Sequence, residues 1–160
     1  MKNLFLFLIL VIGFSSCSRS RIVITDTEIP DEVFYLKDQV KPFTGVCIIY
    51  YTNSKIVREE MNYLDGILNG PVTSYFPDGT VRIKGSFLKG DMHGKWESWY
   101  KNGMRRYIAY YENDSLTGEY MEWYDTGVVK EKGLYAQNLR TGEWIEYDEA
   151  GMIIKRVFKD

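Results

Sequence analysis

The sequence predicts an all-β protein: a repetitive array of antiparallel β-hairpins that forms an elongated, twisted or rolled open sheet. Three observations predict this class: a unit of about 24 residues that recurs about five times, two glycine series in fixed register, and columns of aromatic side chains. Two strands for each unit give about ten strands in total. Each unit is too short for a strand–helix–strand crossover, which takes about 30 residues or more.

The first glycine of the unit recurs at a constant spacing, apart from one extra residue in the first interval. Its positions are Gly45, Gly70, Gly94, Gly118 and Gly142. A second glycine follows nine residues later in four units, at Gly79, Gly103, Gly127 and Gly151, while the first unit has Ser54 there. The second series is typical of hairpin turns, because glycine supplies the positive φ that such turns need. We interpret the first series as the end of a polar turn between units.

Aromatic and apolar side chains fill fixed columns between these glycines. Five residues after the first glycine stand Tyr50, Tyr75, Trp99, Trp123 and Tyr147; two residues after it stand Cys47, Val72, Trp96, Tyr120 and Trp144. Successive strand residues point to opposite faces, so both faces of the sheet carry aromatic rings. We therefore expect the sheet to coil or roll, with close approaches permitted by the small residues Gly85, Ala109 and Gly133.

The N-terminus is predicted to be a targeting segment. Residues 1–16 contain a short positive start and an apolar run from Leu4 to Gly13, which is typical of a signal peptide and too short to span a membrane. Cys17 follows two serines and resembles the lipobox of bacterial lipoproteins. The resemblance implies cleavage before Cys17, lipidation of that cysteine, and a protein exported to the bacterial cell envelope, on its periplasmic or surface face. Ordinary cleavage near Ser18 without a lipid is the alternative.

The mature chain then divides into a lipidated tether over 17–35 and the repeat domain over 36–160. Within the tether, the apolar patch Ile22 to Ile24 is a candidate for an added edge strand. If Cys17 carries the lipid, Cys47 has no disulfide partner, and we expect it to be a buried free thiol.

The sequence offers little catalytic or metal-binding chemistry. The only histidine, His93, lies in a polar turn and is expected to be solvated. With one histidine and two cysteines, no metal site, cofactor or catalytic residue is predicted, and we expect no enzyme. Carboxylates recur at Glu97, Glu122 and Glu146, where a glycosidase pair is the alternative to ordinary solvent-facing polar residues. The net charge of −2 argues against nucleic acid as a partner.

Basic residues cluster on the second strands of the middle units. They are Arg82, Lys84, Arg105, Arg106, Lys130 and Lys132. We expect them to form cross-strand ion pairs with Glu119, Glu122 and Glu143. Binding of an anionic glycan or a lipid headgroup is the alternative.

Three segments resemble a known repeat family: "GKWESWYKNG", "GEYMEWYDTG" and "GEWIEYDEAG" are similar to the MORN repeat variant. The resemblance extends over about residues 36–158, and the family is similar to the YwqK-like, antitoxin-type proteins. It implies binding of a partner protein rather than catalysis.

The sequence therefore favours a lipid-anchored, non-enzymatic binding or scaffold protein that acts through protein–protein interaction. Two alternatives remain. One is binding of a cell-wall or surface glycan through the candidate contact residues Tyr75, Trp99, Trp123 and Tyr147. The other is neutralisation of a partner toxin. In each case the only contact with a membrane is expected through the N-terminal lipid.

Overall fold

The computed structural model describes residues 20–24, 34, 36 and 40–159. The predicted signal peptide, residues 1–16, and the predicted lipid attachment site, Cys17, lie outside the described residues. So does most of the predicted tether.

The described residues form one open sheet of twelve strands and no helix, as the all-β prediction required. The strands are β1 (Ser20–Ile24), β2 (Gly45–Tyr50), β3 (Val57–Leu64), β4 (Ile67–Tyr75), β5 (Val81–Leu88), β6 (Asp91–Met92), β7 (Gly94–Trp99), β8 (Arg105–Glu112), β9 (Ser115–Trp123), β10 (Val129–Ala136), β11 (Leu139–Tyr147) and β12 (Ile153–Lys159). They follow one another across the sheet in chain order, except that the two-residue β6 pairs only with β5. The sheet ends at β1 on one side and at β12 on the other.

The five predicted hairpins are confirmed as β2–β3, β4–β5, β7–β8, β9–β10 and β11–β12, all antiparallel. The two further strands are β1 and β6. Strand β1 contains the predicted apolar edge patch and pairs in parallel with β2, so that Ile22 lies opposite Cys47 and Val23 opposite Ile48. The sheet thus already includes part of the segment expected to be a tether.

Consecutive hairpins are joined by two-residue turns in which both residues have positive φ. These pairs are Asp65–Gly66, Lys89–Gly90, Asn113–Asp114 and Gln137–Asn138. Positive φ at both central residues defines the type I′ turn, whose twist matches that of paired strands. The turns within hairpins use the second glycine series, with φ of +81° to +88°. In the first unit Asn53, not Ser54, takes this conformation, with φ of +56°.

The first glycine series does not lie in the turns between units, so that interpretation was wrong. Gly118, for example, is inside β9, three residues after the strand begins, and has φ of +68°. Around it residues 118–120 lie opposite the single residue Ala109 of β8, because the pairing moves from Tyr110↔Thr117 to Ile108↔Met121. The glycine therefore marks a β-bulge, where a positive φ accommodates the extra residues. The unit boundary is the type I′ turn just before it.

Each type I′ turn is hydrogen-bonded to the preceding unit. The backbone N–H groups of Gly90, Asp114 and Asn138 donate to the carbonyls of Leu68, Met92 and Leu116, at 2.8, 3.2 and 3.0 Å. The donors and the acceptors both recur with the period of the repeat. The turns at this end of the strands are consequently joined to one another along the whole array.

The largest buried cluster lies beside the N-terminal strands. It consists of Ile22, Phe34, Phe43, Cys47, Ile49, Met61 and Tyr63. The rings of Phe34, Phe43 and Tyr63 contact one another with centroids 5.1–6.2 Å apart. Cys47 is 1 % exposed, which confirms the predicted burial, and burial raises the pKa of its thiol to about 12.

Candidate binding surface

The two faces of the sheet carry aromatic residues with different roles. We call the side that bears Cys47, Trp96 and Trp144 the core face, and the opposite side the open face. Trp99 lies three residues after Trp96 in the same strand, so its side chain projects from the open face. The column of Tyr75, Trp99, Trp123 and Tyr147 is therefore an open-face row.

On the core face, tryptophan rings lie directly against glycines of the adjacent unit. A Cβ atom added at Gly85 would be 2.2 Å from the Trp96 ring, and one at Gly133 would be 2.3 Å from the Trp144 ring. The corresponding residue in the unit between them, Ala109, is 1 % exposed. The predicted close approach at these small residues is thus contact between a ring and the backbone, which makes the core-face tryptophans structural.

The four candidate contact residues of the open face are all half-buried. The guanidinium of Arg105 lies 5.7 Å from the ring centre of Trp123, and the ammonium of Lys132 lies 5.8 Å from that of Tyr147. The Tyr75 hydroxyl donates to Glu60 at 3.2 Å, and burial, followed by the charge of Glu60, raises its pKa. These rings therefore keep accessible surface, although long side chains cover part of it.

A depression of about 560 Å³ opens on the same face, across β7 to β11. Its lining includes the apolar residues Ile108, Met121 and Ile145. Ile108 of β8 lies opposite Met121 of β9, and Lys132 of β10 lies between Met121 and Ile145. Of the four candidate contact residues the lining includes only Trp123. The column pattern singled out Trp123, but it did not indicate Met121 and Ile145, the apolar residues three positions after the first glycine.

The rim of the depression carries both signs of charge. Lys95 and Arg105 contribute cations, and Glu119 and Glu143 contribute carboxylates, whereas the half-buried Lys132 lies in the floor itself. Both Glu119 and Glu143 are exposed. A largely apolar floor with a mixed charged rim is a composition expected of a surface that binds a partner through both apolar contact and charge.

The predicted cross-strand ion pairs are present only in part. Lys130 pairs with Glu122 at 3.2 Å as expected, whereas Glu143 pairs with Arg156 of β12, at 3.3 Å. The recurring carboxylates also pair with basic residues: Glu97 lies 3.0 Å from Lys95, and Glu146 lies 3.1 Å from Lys155. Glu97 is on the open face, while Glu122 and Glu146 are on the core face, so the three do not share one site.

A column of tyrosines positions the open-face row. No positioning role was predicted for this column from the sequence. The hydroxyls of Tyr51, Tyr100 and Tyr124 donate to the backbone carbonyls of Tyr75, Trp123 and Tyr147, at 2.6, 2.8 and 2.9 Å. Each bond joins one unit to the aromatic residue of the next. Phe76 occupies this column in the second unit and has no hydroxyl to donate. Tyrosine at this place in three of the five units was the available signal.

Within the part of the chain that the structure describes, no three histidine, cysteine or acidic side chains group in a way that could hold a metal ion. His93 is exposed, as predicted. The same residues include no helix long and apolar enough to cross a membrane.

An open sheet of stacked hairpins, with a regular period and a half-apolar depression on one face, defines a β-hairpin repeat protein. The family model of the MORN repeat variant matches three consecutive segments, residues 68–89, 92–113 and 116–137. These three segments are similar to the MORN repeat variant, and each begins just after a type I′ turn. No curated protein matches the chain.

Proposed function

We propose that this protein is a non-enzymatic binding or scaffold lipoprotein, tethered to the bacterial cell envelope, that uses its MORN-like repeat surface for protein–protein interaction. The observation that carries the proposal is the open-face depression, because a floor of Ile108, Met121 and Ile145, interrupted by Lys132, lies within a rim of opposite charges. Repeat arrays present extended surfaces of this kind to partners. The second and third segments that match the MORN repeat variant include most of the residues that line the depression.

Crosslinking in native membranes, followed by identification of the captured protein, tests this function. The Glu119→Lys variant reverses an exposed charge of the rim and should reduce capture of the partner by roughly tenfold. Glu112→Lys, a change at another exposed glutamate outside the depression, is the matched control and should leave capture unchanged. Equal loss in both variants, or turnover of a substrate that a single carboxylate substitution abolishes, would contradict the proposal.

The tether is proposed from the N-terminal sequence alone. Lipidation at Cys17 predicts that Cys17→Ala releases the protein from membranes and abolishes labelling by fatty acid. Continued labelling of the variant would show that Cys17 is not the lipid attachment site. Ser18→Ala leaves the cysteine in place and serves as the control.

Binding of a cell-wall or surface glycan is the second candidate function. The half-buried ring of Trp123, with Arg105 beside it and carboxylates at the rim, is the observation that favours it, since sugar rings stack on aromatic faces. Titration with cell-wall glycans should change the tryptophan fluorescence of the natural chain and not that of Trp123→Phe. A flat response to all glycans would exclude this function. If the captured partner instead is a toxin, the protein acts as its neutraliser.

A further inference from the structure

We propose that strand β12 is the docking strand of this protein, and that its partner is an extended segment with alternating apolar and acidic residues that adds to the sheet edge. The inference rests on the proposed protein-binding function and specifies where the partner binds and what chemistry it has.

Strand β12 offers a free edge at the end of the sheet. It pairs with β11 on one side, and none of the described strands pairs with its other side. The backbone N–H and C=O groups along that side can therefore form a ladder with an added strand. The strand has seven residues, and its apolar side chains are unusually exposed: Phe158 is 71 %, Ile154 is 62 % and Ile153 is 50 % accessible.

The other edge of the sheet is a poorer docking site. Strand β1 has five residues, and Ile22 at its centre is 2 % exposed within the largest buried cluster. An added strand there would find the central side chain of β1 already covered. The difference between the two edges selects β12.

The pairing of β12 with β11 shows which side chains an added strand would contact on each face. Arg156 lies opposite Ile145, and Phe158 lies opposite Glu143, so both project from the open face. Lys155 lies opposite Glu146, and Lys159 lies opposite Gly142, so both project from the core face. Side chains of an added strand would alternate in the same way, which places its apolar residues beside Phe158 and its acidic residues beside the two lysines.

The charge of β12 favours an acidic partner over a second copy of this chain. The strand contains Lys155, Arg156 and Lys159 and no acidic residue. The ion pairs with β11 leave the side chains of Lys155 and Arg156 at 57 % and 51 % exposed. Two β12 strands paired with each other would bring like charges together, which is destabilising. Glutamates of an added strand, placed beside the cations of β12, are instead attracted to them across the strands.

The open face of β12 also continues the depression. Ile145 and Glu143 line the depression and lie opposite Arg156 and Phe158. A partner strand at the edge would thus lie beside the depression, and one partner can occupy both.

Labelled peptides of about eight residues test the strand addition by fluorescence anisotropy with the full chain. A peptide of alternating glutamate and valine should bind, and its lysine–valine analogue should bind at least roughly tenfold more weakly. Two further analogues carry N-methyl groups on either the odd or the even residues. Only alternate N–H groups of an added strand face the sheet, so one analogue should bind and the other should not. Binding of both, or of neither, would overturn the strand addition.

Variants of the exposed strand locate the site. Phe158→Ala and Lys159→Glu should each weaken binding of the glutamate–valine peptide by roughly tenfold, while circular dichroism shows an unchanged fold. Leu88→Ala and Lys101→Glu change exposed residues away from the edge and should leave binding unchanged. Weakening by the controls as well, or self-association of the natural chain that Lys159→Glu strengthens, would overturn the proposal.

Failure of this inference is distinguishable from failure of the proposed function. Undiminished capture of the native partner by Phe158→Ala and Lys159→Glu would preserve protein binding and overturn the role of β12. Peptide binding that these variants weaken, together with no captured partner in native membranes, would support docking at β12 and contradict the proposed function.

Discussion

Trp144 covers Gly133 so closely that no side chain fits between them. Its indole N–H donates to the carbonyl of Leu134 at 3.0 Å, and the guanidinium of Arg140 lies 3.9 Å from the centre of its ring. The ring is thereby held in place on three sides. Glycine at this position is required by space rather than by backbone conformation, because only a hydrogen atom fits under the ring.

Gly133→Ala should lower the free energy of unfolding by about 1–3 kcal/mol, since the new methyl group displaces the Trp144 ring. Chemical denaturation of the variant measures the loss. The double variant Gly133→Ala with Trp144→Tyr recreates the combination that the chain already has at Ala109 and Tyr120, and it should recover part of the stability. A single variant as stable as the natural chain would contradict the steric argument.

Stability at alkaline pH depends in part on the buried acids Cys47 and Tyr63. Burial, followed by the charge of nearby groups, raises the pKa of both to about 12, from ordinary values of 9.0 and 10.0. The unfolded chain therefore loses these protons at lower pH than the folded chain. Their contribution to stability is complete below pH 9 and decreases as the pH rises towards 12.

The free energy of unfolding should accordingly fall across pH 9 to 12, and Cys47→Ala should make that fall shallower. Denaturation at several pH values measures both slopes. Lys55→Ala changes an exposed residue and provides a control, because it removes no buried acid. The same slope in Cys47→Ala and in the natural chain would contradict the assignment to Cys47.

At the scale of elements, tyrosine hydroxyls fix three of the hairpins to the hairpin that follows. Three of the four available junctions have the bond from tyrosine to carbonyl, and Phe76 occupies the remaining one. The chain thus contains its own comparison between a junction with the bond and a junction without it.

Tyr100→Phe should lower the free energy of unfolding by about 0.5–1.5 kcal/mol, which is the net contribution of a typical hydrogen bond. Phe76→Tyr should gain a similar or smaller amount if its new hydroxyl reaches the carbonyl of Trp99. Thermal or chemical denaturation of the two variants shows whether each substitution raises or lowers the free energy of unfolding. Loss of stability on Phe76→Tyr with no change on Tyr100→Phe would contradict the role given to these hydroxyls.

The repeated columns made the hairpins predictable, but they did not make the path of the backbone within each strand predictable. The spacing of Gly79, Gly103 and Gly127 indicated the turns within hairpins, because those turns need a glycine at a fixed place. Gly118 recurs just as regularly, yet its position follows from a bulge whose extra residues depend on pairing with β8. The open-face row was likewise predictable from alternation, whereas the depression depends on which strands become neighbours. Sequence periodicity reports position along the chain and not register between strands.

For the whole molecule, burial is uneven along the array. The largest buried cluster supports β1 to β4, while six of the seven residues of β12 are exposed. In a repeat array each unit depends mainly on its neighbours, so local opening need not involve the whole sheet.

Backbone hydrogen exchange should therefore be slowest in β2 and β3 and fastest in β12. Mass spectrometry of exchanged peptides measures the gradient. Met61→Ala should accelerate exchange in β2 to β4 more than in β11, because Met61 is 5 % exposed in the N-terminal cluster. Uniform protection from β2 to β12 would show that the array opens as a single unit.

The backbone hydrogen bonds that join successive type I′ turns would allow the sheet to be lengthened by whole units. Because donor and acceptor both recur with the period of the repeat, duplication of the unit 92–115 would reproduce every junction on both sides of the insert. Two more strands would lengthen the sheet by about 10 Å and leave β1 and β12 unchanged. The distance between the two ends of the sheet can thus be changed in increments of one unit. An insertion of any other length would misalign the turns.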